Sequence, residues 1–193
     1  MFVNFIGAPC SGKTTVAAGV FSRLKKYGLA TEYVSEFARH YIATKRFRKQ
    51  STKLDNLDQL KIMEGQLLEE VLFGQDKSVI VVTDTSPLNS LLYLEKPLTI
   101  EDKIYEEVMF HKSMNREDTI YFYCGIVPLP TIVDPNRIHD QMQIAELDTK
   151  AIQLIDRVKN NNPNVNLHWL TENVDDRIDI ATGLVLRENI KLC

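Results

Sequence analysis

The run Gly7-Ala8-Pro9-Cys10-Ser11-Gly12-Lys13-Thr14 constrains this chain more than any other stretch, because it satisfies G-x-x-x-x-G-K-[ST] where that pattern has physical meaning. Before it, Phe2-Val3-Asn4-Phe5-Ile6 is a short apolar run of β-formers. After it, Val16, Ala17, Val20, Phe21 and Leu24 recur at helical spacing. Strand, glycine-rich loop and helix therefore arrive in the order of a phosphate-binding loop. Gly7 and Gly12 permit backbone conformations closed to residues with a Cβ, so that successive N–H groups converge on phosphate oxygens at a positive helix N-terminus. The expected cradle is Gly7, Ala8, Pro9, Cys10, Ser11, Gly12, Lys13, Thr14 and Thr15. Lys13 adds a mobile full charge aimed at the β- and γ-phosphates, and Thr14 a hydroxyl for the magnesium ion that accompanies a nucleotide.

A chain of 193 residues with 44% hydrophobic content fits one α/β domain, read as spanning residues 1–193. The formal charge of -3 argues against a protein whose main task is coating nucleic acid or an acidic membrane. Cys10, Cys124 and Cys193 are scattered and lack metal-site spacing, which points to a reduced setting. With no leader-like segment and no apolar run near the ~20 residues that span a bilayer, a cytoplasmic protein without membrane attachment is expected.

Helix and strand patterns alternate along the chain. The first helix is expected over Lys13–Lys26, stopped by Gly28, followed by a strand over Thr31–Ser35. A helix bearing Phe37, Tyr41 and Ile42 gives way to Lys45-Arg46-Phe47-Arg48-Lys49, read as an exposed basic loop. Asn56 with Gln59 suggests a capping box for a long helix whose apolar face is Leu57, Leu60, Leu67, Leu68, Val71 and Leu72. Ser78–Thr83 is apolar enough for a central parallel strand, and it ends at Asp84. Two short helices interrupted at Pro97 come next, with Thr99 and Asp102 marking the restart. A strand at Thr119–Cys124 leads into a Pro-rich, charged stretch around residues 125–140, a possible lid. A helix through Ile144–Val158, an alternating edge strand at Val165–Trp169 and a last helix capped by Asn173 and Asp176 complete the pattern.

Such alternation predicts right-handed crossovers and a parallel sheet with helices on both faces, its ligands at the carboxyl ends of the strands. The phosphate loop, Glu36, Asp84 and the loop around Arg137 all fall at that edge. Asp84 is placed to hold magnesium or orient an acceptor hydroxyl, because Thr85 and Ser86 are available to cap the next helix. Glu36 can bind an acceptor hydroxyl or take its proton, or else pair with Arg39 or Lys45. Arg137 suits the charge of a transferring phosphoryl group, and Arg39 suits substrate contacts. The basic run with Phe47 could track a phosphate backbone while stacking a base, although a solvated loop is the commoner role. No N-K-x-D segment selects guanine, which favours ATP.

On these pieces the chain resembles the P-loop kinases, and more closely the ATP-binding domains related to the nicotinamide riboside kinase domain of NAD-biosynthesis regulators. The matching residues are Gly7 to Thr14, Glu36-Phe37-Ala38-Arg39, Asp58-Gln59, Asp84-Thr85, and Asp134 with Arg137. The resemblance implies a three-layer P-loop NTPase fold with a five-stranded parallel sheet in order 2-3-1-4-5. It further implies phosphoryl transfer from ATP, with Lys13, Asp84, Glu36 and Arg137 as catalytic residues, Thr14 and Asp84 at Mg2+, and Glu36, Arg39 and Asp84 at the substrate. No nicotinamide-specific signature accompanies these motifs, so the acceptor is expected to be a nucleoside- or nucleotide-like small molecule, favoured over nucleic acid. Two alternatives stand beside it: an ATPase or nucleotide-binding regulator acting on a protein partner, and a kinase for a group within DNA.

Overall fold

The computed structural model describes residues 1–114, 118–126, 141–171 and 173–192. Strands β1 (Phe2–Ile6), β2 (Thr31–Val34), β3 (Ile80–Thr83), β4 (Thr119–Cys124) and β5 (Asn166–Leu170) alternate with helices α1 (Lys13–Lys26), α2 (Phe37–Phe47), α3 (Asn56–Phe73), α4 (Ile100–Met114), α5 (Gln141–Asn161) and α6 (Val174–Leu192). All strand pairings are parallel, in the order β2-β3-β1-β4-β5. The three-layer arrangement expected from the alternation is therefore present, with β1 central and β5 at an edge.

Side-chain alternation along the central strands divides the core in two. Val3 and Phe5 of β1 and Ile120 and Phe122 of β4 point to a layer closed by Val16, Ala17 and Val20 of α1 and by Ile178, Ala181 and Val185 of α6. Ile6, Tyr121 and Tyr123 point the other way, against Met63 and Leu67 of α3, Met109 and Phe110 of α4, and Leu154 and Ile155 of α5. Among the described residues no helix is long and apolar enough to cross a membrane.

Local signals behave as their chemistry dictates at several ends. Thr99 and Asp102 cap α4 reciprocally: the Asp102 amide donates to Thr99 Oγ1 at 3.0 Å and the Thr99 amide to Asp102 Oδ2 at 3.2 Å. Asn173 Oδ1 accepts from the Asp176 amide at 3.1 Å at the start of α6. Ser86 caps the 3₁₀ segment Pro87–Tyr93 by accepting from the Leu88 amide, so Asp84 has no capping duty there.

Three expectations need correction. The capping box of α3 is formed by Asp55 and Asp58, not Asn56 and Gln59: Asp55 Oδ1 accepts from the Asp58 amide at 2.8 Å, and Asp58 Oδ2 from the Asp55 amide at 3.2 Å. Asn56 instead exchanges two hydrogen bonds with the Glu95 backbone. The apolar face of α3 is also displaced. Leu57, Leu68, Val71 and Leu72 are exposed, whereas Leu60, Met63 and Leu67 are buried beside the polar Gln59, Gln66 and Glu70, because this helix faces both the core and a polar cleft. Finally, the basic run is not wholly a loop. Lys45, Arg46 and Phe47 complete α2, and Lys45 pairs with Asp58 on α3 at 2.5 Å.

Candidate functional site

The phosphate loop leaves β1 at the carboxyl edge of the sheet and enters α1 through Gly12, whose φ of 83° is left-handed. Gly7 has a φ of 155°, and a Cβ there would lie 2.5 Å from the Cys124 carbonyl oxygen and 2.9 Å from Ser11 Oγ. Only glycine lets the loop pass this close to the end of β4. No side chain caps the N-terminus of α1, so its first-turn amides are not engaged by a cap. Lys13 folds back over the loop, its ammonium donating to the carbonyls of Gly7 at 2.9 Å and Ala8 at 2.7 Å. Burial holds that ammonium below the ordinary lysine range, against the opposing pull of neighbours that include Glu36 and Asp84.

Pro9, Cys10, Gly12, Lys13, Thr14 and Thr15 line a cleft of about 800 Å³, facing Glu36, Ala38, Arg39 and Ile42 of the β2–α2 segment and Thr85, Ser86, Asn89 and Tyr93 after β3. Gly7, Ala8 and Ser11 lie buried beneath it. The loop, the end of β2 and the end of β3 thus meet because β3 sits between β2 and β1.

Asp84 is a carboxyl whose charge this site penalises. It is 2% exposed, and its Oδ1 has no hydrogen-bond partner. Burial, reinforced by the nearby Glu36 carboxylate, pushes its carboxyl up to about 6, against the opposing pull of the neighbouring Thr14 hydroxyl and of the charges of Arg39 and Lys13. A buried oxygen left unsatisfied beside a threonine hydroxyl is a donor set suited to a hard divalent cation that completes its shell with phosphate oxygens and water. Among the described residues no group of three or more His, Cys, Asp or Glu side chains could hold a metal.

Glu36 precedes the first turn of α2 and accepts from Arg39 Nε at 3.0 Å, the pairing that competes with a role at the acceptor. Lys45 is committed to Asp58 instead. Glu36 is nonetheless a cleft residue, with Arg39 largely exposed beside it. The structure therefore brings Lys13, Thr14, Glu36, Arg39 and Asp84 together. Arg137, like Asp134 and residues 127–140 of the expected lid, lies outside the described residues.

Sequence reasoning missed one residue that organises this site. Arg177 on α6 is fully buried; its Nη1 donates to the Ser11 carbonyl at 2.8 Å and its Nη2 to the Gly125 carbonyl at 2.8 Å. One guanidinium thus ties the phosphate loop to the chain leaving β4. The only available signal was an arginine one turn into a capped helix, which reads like any surface arginine until the sheet places α6 against the loop.

Comparison with known proteins agrees with this fold. The chain is similar to a crystal structure of APE1195, with a TM-score of 0.51 and 15% identity over 97% of this chain and 95% of that one. It is also similar to the NadR protein crystallised in complex with NAD and AMP-PNP, with a TM-score of 0.63 and 18% identity over 94% of this chain. It spans about half of that NadR chain, 49%. Likeness at these identities establishes the fold, the three-layer α/β architecture of P-loop NTPases. No curated protein sequence matches. The AAA domain family model matches residues 2–177, from the first strand through Arg177, and the chain belongs to that family of P-loop proteins.

Proposed function

We propose that this protein is a magnesium-dependent phosphotransferase that moves the γ-phosphoryl group of ATP to a hydroxyl of a nucleoside- or nucleotide-like acceptor. The observation that carries the reading is the buried Asp84 carboxyl, with one oxygen unsatisfied and the Thr14 hydroxyl nearby, at the edge of a cleft shared by the phosphate loop and Glu36. The NadR structure with AMP-PNP supports an adenine nucleotide as donor.

In this reading the loop amides and Lys13 hold the donor phosphates, with Lys13 exchanging its two carbonyl partners for phosphate oxygens. Magnesium, held by Thr14 and Asp84, would neutralise charge on the β- and γ-phosphates. Glu36 orients the acceptor hydroxyl and takes its proton as the acceptor oxygen bonds to the γ-phosphorus and the bond to the bridging oxygen breaks, releasing ADP. Arg39 holds Glu36 in place and reaches the substrate. Arg137 would balance charge on the transferring group from a lid at residues 125–140 of a single domain. Because this chemistry rests on positioning and electrostatics, the cleft must exclude competing water.

The test is an acceptor screen with γ-labelled ATP across nucleosides, nucleotides and oligonucleotides, with Lys13→Ala as control. Label transferred to a hydroxyl of one acceptor class, and lost in the control, is the expected result. Label released solely as free phosphate in every arm refutes the reading in favour of an ATPase.

A further inference from the structure

The basic run finds its place on α2. This helix buries none of its residues fully, and it is held at its far end by one carboxylate: Asp58 accepts from Tyr41 Oη at 2.7 Å and from Lys45 Nζ at 2.5 Å. Lys45 is thereby neutralised. Arg46, Arg48, Lys49 and Lys53 are all exposed and make no ion pair among the described residues. Phe47, between two arginines, is 89% exposed, more than any other large hydrophobic side chain among the described residues. A chain of net charge -3 thus concentrates unpaired positive charge and a bare aromatic ring at one tip.

The tip is continuous with the cleft. Arg39, Ile42 and Arg46 are spaced by three and four residues and so share one face of α2, and the first two line the cleft. At 1.5 Å rise per residue, Arg46 stands about 10 Å beyond Arg39 along that face. This is the length of one to two nucleotides of extended strand, at roughly 6 Å each. A neutral nucleoside would end inside the cleft and use none of these groups. A solitary phosphate would need one cation and no aromatic ring. Exposed cations at strand spacing beside an exposed ring are what binds single strands, the cations tracking phosphates and the ring stacking a base.

We propose that α2 and the turn after it form a docking surface for single-stranded nucleic acid, with the strand running from Phe47 and Arg46 along Arg39 into the cleft. The inference rests on the phosphotransferase reading and names the carrier of its acceptor: the nucleotide that receives the phosphoryl group belongs to a strand.

The experiment measures anisotropy of a fluorescein-labelled dodecamer of thymidylate with the whole protein, titrated at several salt concentrations. Each variant is checked by circular dichroism and by calorimetric Mg-ATP binding. Wild-type protein binds with a dissociation constant that rises steeply with salt, a log–log slope near 3 for about four phosphate contacts. The triple variant Arg46→Ala, Arg48→Ala, Lys49→Ala lowers that slope by about 2. Phe47→Ala weakens binding roughly tenfold with the slope unchanged. Absence of binding at low salt, affinity unmoved by either variant, or binding to vesicles of phosphatidylcholine and phosphatidylserine in place of the oligonucleotide each overturns the inference. Intact Mg-ATP binding in those cases leaves the phosphotransferase reading standing, whereas Mg-ATP binding absent from wild type sinks that reading separately.

Discussion

Replacing Asp84 by Asn removes a carboxyl that the fold penalises, and the consequence is a stability difference that depends on pH in a defined direction. The ordinary carboxyl value of 3.8 is raised to about 6 in the native protein. A raised value means that the native state holds the proton more tightly than the unfolded chain, so the stabilising proton is fully present below about pH 4 and is lost as pH climbs through 6. The displacement of about two units, at 1.36 kcal/mol each, makes ionised Asp84 cost the metal-free protein about 3 kcal/mol above pH 7. Asn is nearly isosteric and carries no charge. Chemical denaturation of both proteins in chelator, from about pH 4 to pH 8, should therefore show Asp84→Asn gaining on wild type by about 3 kcal/mol, with most of the gain between pH 4 and 6.5. Groups that do not interact with Asp84, Asp58 among them, titrate alike in the two proteins and cancel, so that the difference reports Asp84 with the Glu36 carboxylate coupled to it. A difference that stays flat with pH, or that falls as pH rises, would refute the assignment of Asp84 as a strained buried carboxyl. The same substitution should weaken magnesium-dependent nucleotide binding measured by calorimetry, since a group stabilised by losing its charge has lost its value to a cation.

The geometry sets four further outcomes. Arg177→Met leaves the Ser11 and Gly125 carbonyls without their guanidinium, so stability should drop by about 2–5 kcal/mol and the thermal midpoint by roughly 5–15 °C, with Arg177→Lys recovering part of the loss. Gly7→Ala drives a methyl into the Cys124 carbonyl and should abolish nucleotide binding as well as lower the melting temperature, both measurable on one sample. Lys13→Ala should reduce phosphoryl transfer by at least about a hundredfold in kcat/KM while leaving the circular dichroism spectrum unchanged. The Asp58 carboxyl is desolvated, yet hydrogen bonds from Lys45, Tyr41 and the Asp55 amide hold it below its ordinary 3.8, so its contribution to stability is present above that value and is lost as pH falls further. Asp58→Asn should accordingly destabilise by about 1–3 kcal/mol at pH 7 and progressively less below pH 4, read by denaturant midpoint.

The phosphate loop was legible because its residue types are dictated by backbone conformation and charge within eight consecutive positions, and the strand and helix beside it by their periodicities. Asp84 and Glu36 could be placed at one rim because parallel strands deliver their carboxyl ends to the same edge, and the sheet order made that rim a single cleft. What the linear pattern could not convey is which face of an element the rest of the molecule covers. Leucine spacing on α3 fits either of two faces, and the choice fell to the one that lets Leu60, Met63 and Leu67 meet the core while Gln66 caps the turn into α2 by accepting from the Phe37 amide. Asp58 likewise reads as part of a helix start until α2 folds across it and brings Lys45 and Tyr41 to the same carboxylate. Arg177 is the extreme case, since a charged residue is buried only where distant carbonyls converge to receive it, and 166 positions separate it from Ser11. Local conformation and charge were therefore set by neighbours in the chain, whereas burial, pairing and the raised carboxyl of Asp84 arose only when segments far apart in sequence removed one another from water.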